Sequence, residues 1–350
     1  MQVRLVTRTH YQVDEPALLR TIVRDCTSPV RSDYRERVAA RLVTQTAQSV
    51  HALNIAAAGY AVDLARACAV VTENLVWSDF GHLLNAAAAG QAPPLSHELS
   101  SLERGAFFRV LLSANGAAFV FLAQELKRTP RFPAQDGWDI LATRMAVWIY
   151  ERYRDLSTDV RFRSELRHLL TKRRQSPFTG KSGPHQMFFH LQALTRLGLL
   201  RRVEDKSSRQ YVLDEATRER VDRLASVLPD IRVLEKTLEA DEWEQVGRTI
   251  YGSEREGFGD DVIFHHLIAT YRFVEQTQTP LVSLSTLTDA VKVRALAESC
   301  VPPKTDSVLR VLMRAQSKHP RQIRLHVDRK GLPAFVKISK AITDAVLTSS

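Results

Sequence analysis

Apolar residues in this 350-residue chain recur mostly at helical spacing, and the clearest passage spans residues 184–213. Met187, Leu191, Leu194 and Gly198 fall at i, i+4, i+7 and i+11, with Phe188 and Leu197 flanking them, which predicts a helix with one apolar face. Ser182 suits its N-cap, and Pro184 its first turn, where the missing N–H costs nothing. Gly198 stands where a left-handed C-terminal residue is needed. The other face carries His185, Phe189, Gln192 and Arg196, with Gln186 and Ala193 beside them. Leu199, Leu200 and Val203 then predict a strand, residues 204–209 a polar turn, and Tyr211, Val212 and Leu213 a returning strand.

The same reading extends along the chain. Val3, Leu5 and Val6 predict a short strand, and residues 32–72 are helical in pattern. Residues 70–77 predict a tiny hairpin, and Ser78 caps a helix over 79–89. A linker with Pro93-Pro94 follows, then helices over 101–113 and 117–127, then a break over 129–137. An apolar helix over 138–153 and a second over 164–170 precede the passage described above. Beyond it the pattern predicts helices over 214–228, 231–244 and 262–275, with an exposed loop over 251–261. A helix over 284–297 is followed by one over 306–317 with Thr305 as its cap. In that last helix Val308, Val311, Leu312 and Ala315 form the core face, and Arg310, Met313, Arg314 and Ser317 point the other way. Ile323, Leu325 and Val327 alternate with polar residues, Asp328 to Gly331 turn, and Leu332, Ala334, Val336 and Ile338 alternate back.

Helix, strand, polar tip and strand is the order of parts in a winged helix-turn-helix. The run His190-Leu191, Ala193-Leu194, Leu197-Gly198-Leu199-Leu200-Arg201-Arg202 resembles the recognition helix and wing entry of bacterial winged-helix regulators of the multiple-antibiotic-resistance and arsenic-resistance types. The resemblance covers about a tenth of the chain and names a domain, not a single family. It implies that His185, Gln186 and Phe189, with Gln192 and Arg196 on the same face, read bases, and that Arg201, Arg202, Lys206 and Arg209 hold phosphates. The segment over 173–183 departs from those regulators: it is long and basic where a tight turn is usual.

Charge sharpens the picture. The net +10 is unevenly spread: residues 138–213 carry +8, residues 214–262 carry −7, and residues 282–340 carry +8. Clustered Lys and Arg are the footprint of a phosphate-binding surface. In the second basic block the expected contacts are Arg310 and Arg314 on the helix and Arg329 and Lys330 at the hairpin tip.

Little catalytic chemistry is legible. Glu125-Leu126-Lys127 matches part of a restriction-nuclease signature but sits in a helical pattern, where that chemistry needs a strand. His265-His266 are adjacent on a helix, about 100° apart, which does not suit one metal ion. Gly180-Lys181-Ser182 resembles the end of a phosphate loop, but position 175 is Gln where the first Gly is required. Cys26, Cys68 and Cys300 lie far apart and fit neither a zinc site nor a disulfide framework. The first ten residues lack the apolar core of a secretory signal, and no apolar run reaches membrane-spanning length, so a cytoplasmic location is expected.

The expectation is therefore a mainly α chain with short β-hairpins in a multi-domain winged-helix architecture. Its parts are an N-terminal helical domain over 1–92, itself readable as a degenerate winged helix, a helical segment plus central winged helix over 98–213, an acidic helical connector over 214–280, and a C-terminal winged-helix-like domain over 281–340. The expected partner is double-stranded DNA, together with a partner protein or a second copy of the chain. No metal, cofactor, membrane partner or enzymatic activity is expected. A role as regulator or as targeting subunit of a bacterial complex, such as a defence or mobile-element system, leads. A non-enzymatic protein-interaction adaptor is the alternative, and a cryptic nuclease stands behind both.

Overall fold

The protein is described from a computed structural model covering residues 2–6, 55–72, 76–88, 99–129, 131–132, 137–179, 182–205, 208–252, 255–275 and 281–348. In chain order the elements are α1 (Ile55–Ala67), α2 (Asp79–Ala88), α3 (Ser101–Arg128), β1 (Arg131–Phe132), α4 (Trp138–Leu156), α5 (Val160–Gln175), α6 (Ser182–Arg196), β2 (Arg201–Asp205) and β3 (Ser208–Val212). There follow α7 (Glu215–Val227), α8 (Ile231–Glu239), α9 (Trp243–Tyr251), α10 (Asp260–Glu275), β4 (Val282–Ser283), α11 (Leu284–Ala297), α12 (Thr305–Lys318), β5 (Ile323–Val327), β6 (Pro333–Ile338) and α13 (Lys340–Thr348). The described residues are mainly helical, with two small antiparallel sheets among them, of strand order β1-β3-β2 and β4-β6-β5.

Helix α3 is the axis of the larger core. Ser100 and Glu103 form a reciprocal capping box at its start, and apolar residues surround it on every side, as a helix buried all round requires. Helices α2, α4, α6, α7, α8, α9 and α11 pack around it. The sequence pattern predicts two helices here, yet the chain runs through Asn115-Gly116 unbroken. Both residues serve packing. A side chain at Gly116 would meet Leu234 Cδ1 at 2.9 Å. The buried Asn115 amide accepts a hydrogen bond from Val6 N at 3.2 Å and lies 2.9 Å from His190 Nδ1. Tertiary demand thus overrides the weak helix propensity of Asn and Gly. Residues 2–6 form no strand, and Val6 is instead buried in this core.

The acidic stretch is built into the fold and is no detached connector. Leu224, Leu228, Leu234 and Trp243, from α7 to α9, are buried in the core around α3. Ile263, Leu267 and Tyr271 of α10 belong to a second core with α11, α12 and the second sheet. The predicted single helix over 231–244 is two, α8 and α9, because Asp241 adopts φ +53° and breaks the ladder. Residues Val62, Leu64 and Leu83 of the N-terminal helices share the first core. Helix α11 joins the two: Val293 and Leu296 face the first core, Leu287 and Val291 the second.

A buried charge cluster marks this junction. Arg109 of α3 binds Asp289 of α11 at 2.9 Å and Asp241 at 3.2 Å. Lys292, fully buried on α11, binds Asp241 at 3.0 Å and Glu244 at 3.2 Å. The indole of Trp243 donates to Asp289 at 2.8 Å, and the hydroxyl of Thr305, the first residue of α12, donates to Asp241 at 2.9 Å. The buried charges of Asp289, Lys292 and Glu244 are tolerable only when paired, and Arg109 and the half-exposed Asp241 complete the pairing. The cluster fixes the start of α12 against the body of the protein.

Candidate nucleic-acid interface

Helix α6 and the β2–β3 hairpin form where the sequence pattern places them. Gly198 takes φ +71°, and its carbonyl accepts from Arg220 at 3.0 Å. The strands pair in antiparallel register, Arg202 opposite Tyr211 and Glu204 opposite Arg209. The face assigned to bases is nevertheless corrected. From Met187 to Leu194 every residue of α6 is buried, more than two full turns, so the helix has no free face over that length. Phe189 is 0% exposed and Gln192 3% exposed, and the Gln192 amide oxygen accepts from Tyr211 OH at 3.4 Å. The reason is packing: α4 and α3 cover α6 from two sides. Phe189 and Gln192 are core residues here and are removed from the contact set.

His190 lies in the same buried layer. Burial holds its imidazole down to about 3, so it is neutral, and Nδ1 accepts from the Asn115 amide. Arg196 and Arg202 are half-buried together; burial first, then the neighbouring Arg202 charge, lowers Arg196 to about 10. Arg201 is exposed, 3.7 Å from Asp214. The side chains of His185, Gln186 and Arg209, and all of Lys206, lie outside the described residues.

The exposed basic helix of this unit is α5, which the sequence reading shortened to residues 164–170 and gave no site residue. Only Leu166 and Leu170 are buried along it. Asp159 caps it, accepting from Arg161 N at 2.8 Å. Arg163, Arg167 and Arg174 form one exposed stripe, and Arg161 and Lys172 a second. Arg174 is paired with Glu151, and the Arg173 guanidinium stacks 3.6 Å over Phe178. Arg161, Arg163, Arg167 and Lys172 have no side-chain partner among the described residues. The readable signal is an i, i+4 apolar pair inside a six-cation, one-acid segment.

In the C-terminal unit the elements follow in the order α10, β4, α11, α12, β5, β6. Val308, Val311 and Leu312 bury one face of α12, and Arg310, Met313, Arg314 and Ser317 are exposed on the other, as the spacing predicts. Arg314 binds Asp260 at 2.6 Å. On the hairpin, Ile323, Val336 and Ile338 face the core, while Arg324 stands directly opposite Lys337 on the outer side. Arg329 and Lys330 are exposed at the tip, where the Asp328 carboxylate accepts from Lys330 N and Leu332 N and Gly331 takes φ +79°. Arg321, Arg324 and Lys337 are further exposed cations that the sequence reading left out.

The remaining candidate chemistry resolves into packing. Glu125 lies in helix α3, its carboxylate held by Arg144 at 2.9 Å and Arg128 at 3.5 Å. The rings of His265 and His266 are 5.7 Å apart at 73°, and burial, with Arg294 and His265 nearby, lowers His266 to about 4. Among the described residues no three His, Cys, Asp or Glu side chains are grouped to hold a metal. Of the described helices, α3 is long and apolar enough to cross a membrane, and 83% of its apolar window is buried inside the protein. No family model, no curated protein and no solved structure matches the chain.

Proposed function

We propose that this protein binds double-stranded DNA, as a regulator or as the targeting subunit of a larger complex. In this reading the C-terminal unit is a winged helix: α12 is its recognition helix and the β5–β6 hairpin its wing. Arg310 and Arg314 enter the major groove, and Arg324, Arg329, Lys330 and Lys337 hold flanking phosphates. The observation that carries it is the exposure of α12 and of the hairpin's outer face, with cations on both that have no partner among the described residues. In the central unit the phosphate-holding role falls to α5 and Arg201, since α6 is buried. Binding of this kind requires no catalytic group.

The test is a salt series of duplex binding by the full chain. Affinity is expected at about 50 mM salt and falls steeply towards about 200 mM, because each neutralised phosphate releases counterions. Replacing Arg310, Arg314, Arg329 and Lys330 together by Ala should make the log–log slope shallower by roughly two, through the phosphate-holding Arg329 and Lys330, and relax sequence preference through Arg310 and Arg314. Absence of binding at low salt overturns the proposal. It then favours the adaptor reading, in which a partner protein or a second copy docks on the unit's exposed apolar side chains, Met313, Val327, Leu332 and Phe335.

A further inference from the structure

A cleft of about 200 Å³ opens between the start of α3, α7, α9 and the end of α11. Among the described residues its charged lining is two guanidinium groups, Arg104 of α3 and Arg220 of α7, with no carboxylate. Arg104 is half-buried, and its Nε is shielded from solvent without a hydrogen-bond acceptor among the described residues. Arg220 spends one N–H on the Gly198 carbonyl. Tyr251 OH is engaged too, donating to Leu197 O at 3.1 Å. Leu296 and Ala297 supply an apolar wall, and Ser299, held at φ +57°, a hydroxyl at the rim.

A half-buried guanidinium whose Nε is shielded from water and finds no acceptor among the described residues is costly, and a second cation on the same cleft adds repulsion. Elsewhere the protein pairs its buried cations: Arg109 has two carboxylates and Lys292 has two. An oxyanion reverses the balance, because a planar guanidinium matches a phosphate or carboxylate with two parallel N–H donors. The volume exceeds what a bare inorganic anion fills, and Leu296 and Ala297 suit a short apolar body.

We propose that this cleft binds a small organic anion, with its phosphate or carboxylate head between Arg104 and Arg220 and its apolar body against Leu296 and Ala297. The site is separate from the proposed DNA-contacting surface, and its occupancy reaches the wing through Arg220, whose second function is to hold the Gly198 turn into β2.

Calorimetric titration of the full chain with phenyl phosphate, benzoate, inorganic phosphate and phenol tests it. Phenyl phosphate or benzoate should bind one per chain, more tightly than inorganic phosphate, and phenol should not bind; which head is preferred tells phosphate from carboxylate. Arg104→Gln should weaken binding roughly tenfold or more. Ala297→Phe fills the cleft without touching a charge and should abolish binding in a chain whose circular dichroism is unchanged. The Arg310, Arg314, Arg329 and Lys330 quadruple Ala variant should bind the ligand as the parent does, whether or not DNA binding survives. No binding by any probe, equal binding by Arg104→Gln, or loss confined to the quadruple variant overturns the proposal.

Discussion

Arg324 and Lys337 face each other directly across β5 and β6, both exposed and neither with an acidic partner among the described residues. Like charges at directly opposed positions cost about 0.2–1 kcal/mol relative to neutral pairs. The free protein carries that cost, and a phosphate between the two strands removes it. Lys337→Glu should therefore raise the melting temperature slightly and weaken duplex binding at the same time, measured by calorimetry and fluorescence anisotropy. A stabilised variant with undiminished affinity would show that the outer face of the hairpin does not touch DNA.

Helices α5 and α6 should respond in opposite ways. Arg163, Arg167 and Lys172 are exposed and without a side-chain partner among the described residues, so changing all three to Gln should alter stability by less than about 0.5 kcal/mol each while flattening the salt dependence of DNA binding. Phe189 is wholly buried, so Phe189→Ala should cost about 3–5 kcal/mol of stability. Among molecules that remain folded, its sequence preference should be unchanged. A shifted preference with intact stability would return α6 to the groove.

Local pattern carried most of the elements and misplaced the surfaces. Helix α11 and strand β5 lie where period and alternation put them, and α12 exposes the side chains its spacing assigns outward. The polar-looking face of α6 failed because exposure depends on what packs from afar: α3, whose contact with α6 runs through Asn115 and His190, 75 residues apart. The local sign was Phe189 and Ala193 on the face assigned outward, which leave α6 apolar nearly all round from Met187 to Leu194. The helix break at Asp241 was hidden for the same reason, since a left-handed Asp is stabilised there by Lys292 and Arg109, both distant in sequence. Helix α5 extends beyond the expected 164–170 at both ends, because only Leu166 and Leu170 mark its inner face and the flanking cations carry no apolar periodicity.

Three buried histidines give the fold an acid limit. Burial lowers His190 to about 3, and His82 and His266 to about 4 each. In the unfolded chain each titrates near its ordinary value of about 6.5. Between those values the unfolded state binds more protons, so stability rises with pH. The full contribution is present above about pH 6.5 and is lost as pH falls towards 4, by up to about 1.4 kcal/mol per pH unit for each group. Denaturant midpoints measured from pH 7 to pH 4 should fall steeply. His190→Asn, which keeps a polar partner for Asn115 but cannot be charged, should lower the midpoint at pH 7 and make its pH dependence shallower. An unchanged slope in that variant would mean that His190 titrates normally.

The charge cluster at the junction predicts a dependence of opposite sign. Lys292→Met removes one of two cations facing Asp241, Glu244 and Asp289, and should cost about 3–5 kcal/mol at neutral pH, as expected when one partner of a buried ion pair is lost. Burial already raises the carboxyls of Glu244 and Asp289 in the parent, and the Lys292 charge is among the forces holding both down. Without it they rise further. A carboxylate whose folded value is raised binds its proton more readily folded than unfolded, so stability is lost as pH rises through the interval between the two values. The deficit of Lys292→Met relative to the parent should therefore narrow as the pH is lowered from about 7 to about 5, because protonating Glu244 replaces the missing cation with a neutral hydrogen-bonding acid. Asp241 also receives the Thr305 hydroxyl, so the loss should extend to the start of α12, with faster amide exchange at Ser307 and Val308 than in the parent. A deficit that is constant with pH, or exchange unchanged in α12, would show that the cluster neither titrates as a unit nor anchors that helix.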